Sequence, residues 1–273
     1  MSRALWRVGV SRWFVTELPH GTRVRFYPSS VSAALWANPR ACSEDEDFVW
    51  AVLREGDRYI DAGANIGQLA VAAARRVGAR GEVSAFEAHP RTFEFLKGNV
   101  ELNDASVVRA THCALGDEEG ELYFTSQRSD DQNYVSREAG AIRVPVRRLD
   151  DLVAPGTTRL LKLDVEGFEL PVLRGASKTI AHTEVVYCEL SEGNCARFGY
   201  HPEEVERLLL QAGFVFLRVS GDGLPHTTDQ PYFGTLDRAM LPATGYNLIA
   251  ARPHVVEDIA RRLNDAGWRR PVP

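Results

Sequence analysis

Apolar runs alternate with amphipathic segments along most of this chain. A buried parallel strand is apolar on both faces, whereas a covering helix repeats its apolar positions every three to four residues. The alternation therefore predicts an α/β fold, in which a mainly parallel sheet is covered by helices on both faces. The predicted strands are 58–62, 82–87, 107–114, 160–165, 184–190, 215–219 and 246–251, and the predicted helices are 66–77, 90–102, 168–174 and 202–212.

Two regions fall outside this alternation. Before the first predicted strand, the sequence indicates a short strand pair over 23–31 and a helix over 44–53. Between 219 and 246 lies a long stretch rich in Gly, Pro, Thr and Asp. A connection of that length inside a folded domain is typical of a functional lid or of a disordered segment, and we interpret it as a lid.

The first predicted strand ends in a glycine turn, in which Asp61, Gly63, Asn65 and Gly67 precede a helix. A turn that binds a dinucleotide follows the pattern G-x-G-x-x-G, but here Asn65 occupies the position of the second glycine. The carboxylate of Asp61 would repel a phosphate and attract an ammonium or sulfonium group. The turn therefore favours S-adenosylmethionine as the cofactor, with S-adenosylhomocysteine as the product.

Two further strand ends offer contacts for the same ligand. Glu87 ends the second predicted strand, where a carboxylate can accept hydrogen bonds from both ribose hydroxyls; the alternative is that Glu87 only caps the following helix. Ala114 and Leu115 end the third strand, where an adenine ring could lie. We predict these residues, together with Asp164, as the rest of the cofactor site.

Charged residues interrupt the fourth predicted strand. Lys162, Asp164 and Glu166 alternate there, which is costly in a buried strand unless the charges are paired or used. A structural ion pair between Lys162 and Asp164 is the simpler interpretation. In a doubly wound sheet, however, Asp164 would meet Asp61 and Gly63 at the switch point, which is where such folds bind ligands.

If the methyl group of S-adenosylmethionine is transferred to a hydroxyl, that hydroxyl must lose its proton, so a base is required. The candidate catalytic residues are Asp164, Glu166, Glu189 and His201. His201 stands before a proline at a helix start, a position where a histidine is more often structural. Asp164 and Glu189 could together bind a divalent metal, but two acids without a third ligand make a weak site, so no metal is expected.

Composition limits the partners. The net charge of −5 and the isoelectric point near 5.9 argue against nucleic acid as a substrate. The four cysteines lack the spacing of a zinc site. Because no stretch is long and apolar enough to span a membrane, we expect a cytoplasmic protein. The expected partner is a small-molecule or glycan acceptor, and a homo-oligomer is possible.

With these motifs in place, the chain resembles the FkbM family of S-adenosylmethionine-dependent methyltransferases. The resemblance is carried by three segments, and the third is the most specific. It implies a class I methyltransferase fold, with a Rossmann-like sheet of seven strands whose last strand is antiparallel. It also implies O-methylation of a sugar, polyketide or related natural product. The segments are 60–67 (IDAGANIG), 85–90 (AFEAHP) and 161–169 (LKLDVEGFE).

The resemblance also sets the predicted domains. We expect an N-terminal extension or cap over 1–55, a methyltransferase domain over 56–253 with a lid-like insertion at 221–245, and a C-terminal helix and tail over 254–273. Three other functions stay open: N-methylation of an amide or amine, non-catalytic binding of an adenosine ligand, and an NAD-dependent dehydrogenase. The dehydrogenase is disfavoured because Asp61 and Asn65 oppose a diphosphate.

Overall fold

Strands and helices follow one another from residue 15 to residue 265 in the computed structural model, which describes residues 10, 13–124, 135–136, 142–219, 225–228 and 245–268. The strands are β1 (Val15–Glu17), β2 (Arg23–Arg25), β3 (Arg58–Ala62), β4 (Glu82–Glu87), β5 (Val108–His112), β6 (Ala114–Leu115), β7 (Gly120–Phe124), β8 (Val135–Ser136), β9 (Ile142–Arg147), β10 (Thr158–Leu163), β11 (Thr183–Leu190), β12 (Val215–Val219), β13 (Pro225–Thr228) and β14 (Tyr246–Ala251). The helices are α1 (Ser30–Ala37), α2 (Ser43–Val52), α3 (Gln68–Val77), α4 (Pro90–Leu102), α5 (Leu149–Leu152), α6 (Glu169–Arg174), α7 (Ser177–Ala181), α8 (Glu192–Ala196), α9 (Pro202–Gln211) and α10 (Val256–Asp265).

Residue contacts divide the chain into two units, one formed by 1–114 with 121–145 and the other by 115–120 with 146–273. In the first unit β3, β4 and β5 are parallel, and Asp61 lies opposite Ala85. The Ala-rich helix α3 packs on β3 and β4 and begins directly after Gly67. Pro90 occupies the first turn of α4, where its missing N–H costs nothing.

The N-terminal segment of this unit differs from the sequence-based prediction. A strand pair within 23–31 was wrong, because β2 pairs with β1 and residues from Ser30 onward form α1. The Ser29 side chain accepts a hydrogen bond from the backbone N–H of Ser32 at 3.0 Å, and this cap starts the helix. The predicted helix over 44–53 is present as α2.

The second unit carries the remaining strands of the predicted sheet. β10 and β11 are parallel, whereas β14 is antiparallel to both β11 and β12. The prediction that the last strand is antiparallel is therefore confirmed. In the region of the predicted lid, β13 pairs with β12, and residues 220–224 and 229–244 lie outside the described residues.

All seven predicted strands are present, so the α/β architecture is confirmed. One boundary matters for the site. The fourth predicted strand was expected to continue to 165, but β10 ends at Leu163. Asp164 and Glu166 therefore lie in a loop after the strand, and the alternating pattern of that segment does not apply to Glu166.

Candidate active site

The glycine turn after β3 adopts left-handed backbone conformations. The φ angle is 80° at Gly63, 50° at Asn65 and 83° at Gly67. Asn65 tolerates this conformation because its side-chain oxygen accepts a hydrogen bond from the N–H of Ile66 at 2.8 Å. At Gly67 an added Cβ would lie 2.3 Å from Cδ1 of Leu96. The turn thus needs glycine at 67 for both conformation and space.

Asp61 stands within β3, one residue before the end of that strand, and its side chain is fully buried. Burial strengthens the electrostatic field of a carboxylate, because little water screens it. The position fits the predicted role of attracting a cationic group.

Glu87, at the end of β4, is hydrogen-bonded to the glycine turn. One carboxylate oxygen accepts from the N–H of Asn65 at 2.9 Å, and the other accepts from the N–H of His89 at 2.8 Å. Each oxygen has further lone pairs, so both can still accept a hydroxyl donor. His89 is the N-cap of α4, and burial lowers the pKa of its imidazole to about 4, which keeps it neutral.

Asn99 is a residue of the first unit that the sequence analysis missed. It is fully buried on α4; its side-chain N–H donates to the carbonyl of Ile66 at 2.8 Å, and its side-chain oxygen accepts from the N–H of Arg25 at 3.0 Å. Asn99 therefore connects the glycine turn to β2. A signal exists in the sequence, since Asn99 continues the helical spacing of the buried positions Thr92, Phe95 and Leu96.

The side chains around the turn fit S-adenosylmethionine. This ligand carries an ammonium group, a sulfonium, ribose hydroxyls and adenine, and it has no phosphate. The acids Asp61 and Glu87 match the cationic and hydroxyl groups. The residues predicted for the adenine, Ala114 of the first unit and Leu115 of the second, form β6 and are apolar and buried, at 5% and 4% exposure.

In the second unit, Lys162 and Asp164 form an ion pair. The ammonium nitrogen of Lys162 lies 3.2 Å from a carboxylate oxygen of Asp164, and the side chains are 9% and 35% exposed respectively. The predicted structural pairing of these residues is therefore present. Since a third of the Asp164 side chain is accessible, the pairing leaves the carboxylate open to an external molecule.

Glu166 is held in an unusual conformation beside this pair. Its φ is 55°, and its carboxylate accepts a hydrogen bond from the side chain of Asn194 at 2.9 Å. At Gly167, where φ is 97°, a Cβ would lie 2.4 Å from the carbonyl oxygen of Asn194. Positive φ at a residue other than glycine is uncommon and often marks a functional site.

Glu169 stabilises the loop after β10 through hydrogen bonds, a role that the sequence analysis did not assign. Its carboxyl group accepts hydrogen bonds from the N–H groups of Val165 at 3.2 Å and Gly167 at 3.1 Å, and from the hydroxyl of Tyr200 at 3.1 Å. Glu169 is 1% exposed, and burial raises the pKa of its carboxyl group to about 7. The loop that carries Asp164 and Glu166 therefore rests on a buried acid.

The two other candidate bases are Glu189 and His201. Glu189 is exposed near the end of β11. His201 is the N-cap of α9, and its ring nitrogen Nδ1 lies 2.6 Å from a carboxylate oxygen of Glu192. This partner at a helix start gives His201 a structural explanation.

Within the described residues, no group of three or more His, Cys, Asp and Glu side chains is arranged to bind a metal ion. No helix within the same ranges combines the length and the apolar character needed to cross a membrane.

The family is established by comparison with known proteins. The model of the methyltransferase FkbM domain matches residues 61–216, more than half of the chain. The chain therefore belongs to the FkbM family, and it is an S-adenosylmethionine-dependent methyltransferase with the corresponding α/β fold.

Three relatives illustrate the range of the similarity. Methyltransferase 1 of Beauveria bassiana (strain ARSEF 2860) is 32% identical over 178 residues, which is 52% of this chain and 71% of the relative. Methyltransferase sdnD of Sordaria araneosa is 32% identical over 246 residues, 77% of this chain and 93% of the relative. Hexuronic acid methyltransferase AglP of Haloferax volcanii is 27% identical over 175 residues, 62% of this chain and 64% of the relative.

Proposed function

We propose that the chain is an O-methyltransferase whose acceptor is a hydroxyl group of a sugar or related natural product. The observation that carries the proposal is the accessible carboxylate of Asp164, which directly follows the buried strand β10 and is paired with Lys162. A carboxylate in this position can take a proton from a hydroxyl. The name of the Haloferax volcanii relative, a hexuronic acid methyltransferase, supports a sugar-like acceptor.

The first unit would hold the methyl donor. Asp61 would attract its cationic amino-acid arm, Glu87 its ribose and Ala114 its adenine, while Gly63, Asn65 and Gly67 keep the turn in its binding conformation. When bound, S-adenosylmethionine supplies an electrophilic methyl group on a sulfonium, which is a good leaving group. The residues of the turn would contribute mainly by orienting the ligand, an effect that can reach roughly 7 to 11 kcal/mol.

Asp164 would act on the acceptor, with Glu166 and Glu189 as further acids at the same strand ends. A positioned base contributes about 10²- to 10⁴-fold to the rate. Lys162 would hold the carboxylate of Asp164 in one orientation. His201 would stabilise the start of α9 rather than take the proton, because it is bound to Glu192.

The decisive experiment is methyl transfer from S-adenosylmethionine to a panel of hexuronic acids and their glycosides, with the product identified by mass spectrometry and NMR. In Asp164→Asn we expect kcat to fall by about 10²- to 10⁴-fold. The affinity for S-adenosylhomocysteine, measured by calorimetry, should change little.

Asp151→Asn is the matched control. The side chain of Asp151 is also 35% exposed and is paired with Arg148 at 2.7 Å, but it lies on α5. Equal losses of activity in both variants would contradict the role of Asp164. Methylation of an amine instead of a hydroxyl would contradict the acceptor class, and binding of NAD without binding of S-adenosylhomocysteine would contradict the donor.

A further inference from the structure

Apolar side chains are exposed together at the N-terminal end of the described chain. Trp13 is 74% exposed, Trp36 40%, and Val10, Phe14 and Val15 38% each. Outside these five, the exposed large apolar residues of the described ranges are only Tyr123 and Leu152. We call the five residues the aromatic surface.

The aromatic surface rests on a folded base. The rings of Phe14 and Trp36 lie edge to face with centroids 5.8 Å apart, and Phe26 lies 5.3 Å from Trp36. The backbone N–H of Phe26 donates to the carbonyl of Phe14 at 2.9 Å, next to the β1–β2 pair. On α1, Leu35 is 1% exposed, whereas the next residue, Trp36, faces outward. The rings of Phe14 and Trp36 are therefore held by contacts with folded elements.

Charge distinguishes this part of the chain from the rest. Residues 1–42 contain six arginines and one acid, Glu17, whereas residues 43–273 contain 26 basic and 36 acidic residues. Arg23 and Arg40 are exposed. The acidic run that follows at 44–47 lies on α2, where Glu46 is buried and Asp47 is paired with His20 at 2.6 Å.

We propose that the aromatic surface binds the surface of an anionic phospholipid bilayer. Tryptophan prefers the boundary between lipid head groups and acyl chains, and the valines and Phe14 add apolar contact at the same depth. Arginines near an anionic bilayer add electrostatic attraction to its head groups. Exposed indoles and aliphatic side chains in a segment with an excess of arginines match the apolar and charged parts of this partner.

Two other partners fit less well. A stable protein interface uses roughly 20 to 30 residues on each side, far more than the aromatic surface offers. A single-stranded nucleic acid would stack its bases on the aromatic rings, but the exposed valines give it no such contact. Both partners can be tested beside the bilayer.

The test is co-sedimentation of the full chain with vesicles. We expect binding to vesicles of phosphatidylcholine and phosphatidylglycerol in equal parts, weak binding to phosphatidylcholine alone, and a decrease with added salt. The double variant Trp13→Ala, Trp36→Ala should reduce the partition coefficient on the order of tenfold or more. Tyr123→Ala, which removes an aromatic side chain that is 47% exposed on β7, should bind like the wild type.

Equal sedimentation with and without anionic vesicles would overturn the proposal, as would unchanged binding of the double variant. A different outcome is that vesicles bind neither protein, while the wild type self-associates or binds an oligonucleotide and the double variant does not. That result would assign the aromatic surface to the other partner. If the double variant does not fold, Trp13→Ser alone changes the most exposed ring. Its binding should then fall while its circular dichroism stays that of the wild type.

Discussion

Gly67 adopts a conformation that other residues occupy only with strain. At a φ of 83°, a side chain costs roughly 1 to 2 kcal/mol, and the new Cβ would also displace Leu96. We expect Gly67→Ala to lower the free energy of unfolding by about 1 to 3 kcal/mol and to weaken S-adenosylhomocysteine binding. Urea denaturation and calorimetry measure the two effects.

Gly120→Ala serves as the control for that substitution. No atom lies within 4 Å of a Cβ at Gly120, so its stability should stay within about 0.5 kcal/mol of the wild type. If Gly67→Ala bound the ligand as tightly as Gly120→Ala does, the turn would not form the donor site.

Glu169 gives stability a specific dependence on pH. Burial raises the pKa of its carboxyl group from 4.5 to about 7, so between these pH values the native state holds a proton that the unfolded chain has released. The stabilising contribution of this proton is complete below about pH 4.5 and is lost as the pH rises through 7. Glu169→Gln mimics the protonated acid and removes this dependence.

Between pH 4.5 and 7, the difference in unfolding free energy should therefore move in favour of Glu169→Gln by up to about 3 kcal/mol. Urea denaturation across this range measures it. Glu94→Gln, at a carboxylate that is 60% exposed and paired with Lys97, should show no such trend. A constant difference between wild type and Glu169→Gln would mean that Glu169 stays ionised when buried.

Single residues differed in how far the sequence could reveal them. The glycine turn was recognisable because its backbone demands particular residue types at fixed spacing, and Glu87 follows at the end of the next strand. Glu169 was part of the recognised motif, but its carboxyl group is hydrogen-bonded by Tyr200, which is distant in the sequence. The side-chain roles of Asp61, Glu87 and Asp164 toward ligands stay predictions.

Asn99 on α4 and Asn103, which directly follows that helix, both bind the N-terminal segment. Asn99 also binds the glycine turn. Asn99 bonds to Ile66 and Arg25, whereas Asn103 bonds to both backbone groups of Arg23 at 2.9 and 2.7 Å. Asn99→Ala leaves the buried carbonyl of Ile66 without this bond, at about 1 to 3 kcal/mol, and also removes the bond to the partly buried N–H of Arg25.

We expect Asn99→Ala to lower both stability and affinity for S-adenosylhomocysteine, as measured by urea denaturation and calorimetry. Asn103→Ala loses its bonds to Arg23 on β2 and to the carbonyl of Asn99, but none to the glycine turn, so it should lower stability by about 1 kcal/mol and leave ligand affinity unchanged. Similar ligand affinities in the two variants would show that Asn99 does not support the turn.

Regular elements were predictable where one pattern dominated. β3, β4, β12, β14 and α4 match the predicted bounds because apolar runs, Gly turns and Pro90 mark their ends. The strand pair at the N-terminus was misplaced, since three-residue strands carry too few positions to show a period. The end of β10 was placed too late because Asp164 and Glu166 continue a polar alternation by sequence alone.

At the scale of the whole molecule, the order of strands and helices along the chain sufficed to predict the α/β class and the antiparallel last strand. The sequence could not predict how the N-terminal segment packs, because that depends on contacts between residues far apart in the chain. Tyr27, for example, stacks on Phe95 with ring centroids 4.3 Å apart.

One core cluster makes this packing important. Ile66, inside the glycine turn, is buried together with Leu18, Val24, Tyr27, Leu35 and Phe95. The region matched by the family model begins at residue 61, so four of these six residues precede it. A truncated enzyme that began there would expose Ile66 and Phe95 to water, at roughly 1.5 to 3 kcal/mol for each side chain. The match to the family model begins at residue 61, but the stable fold also needs residues that precede it.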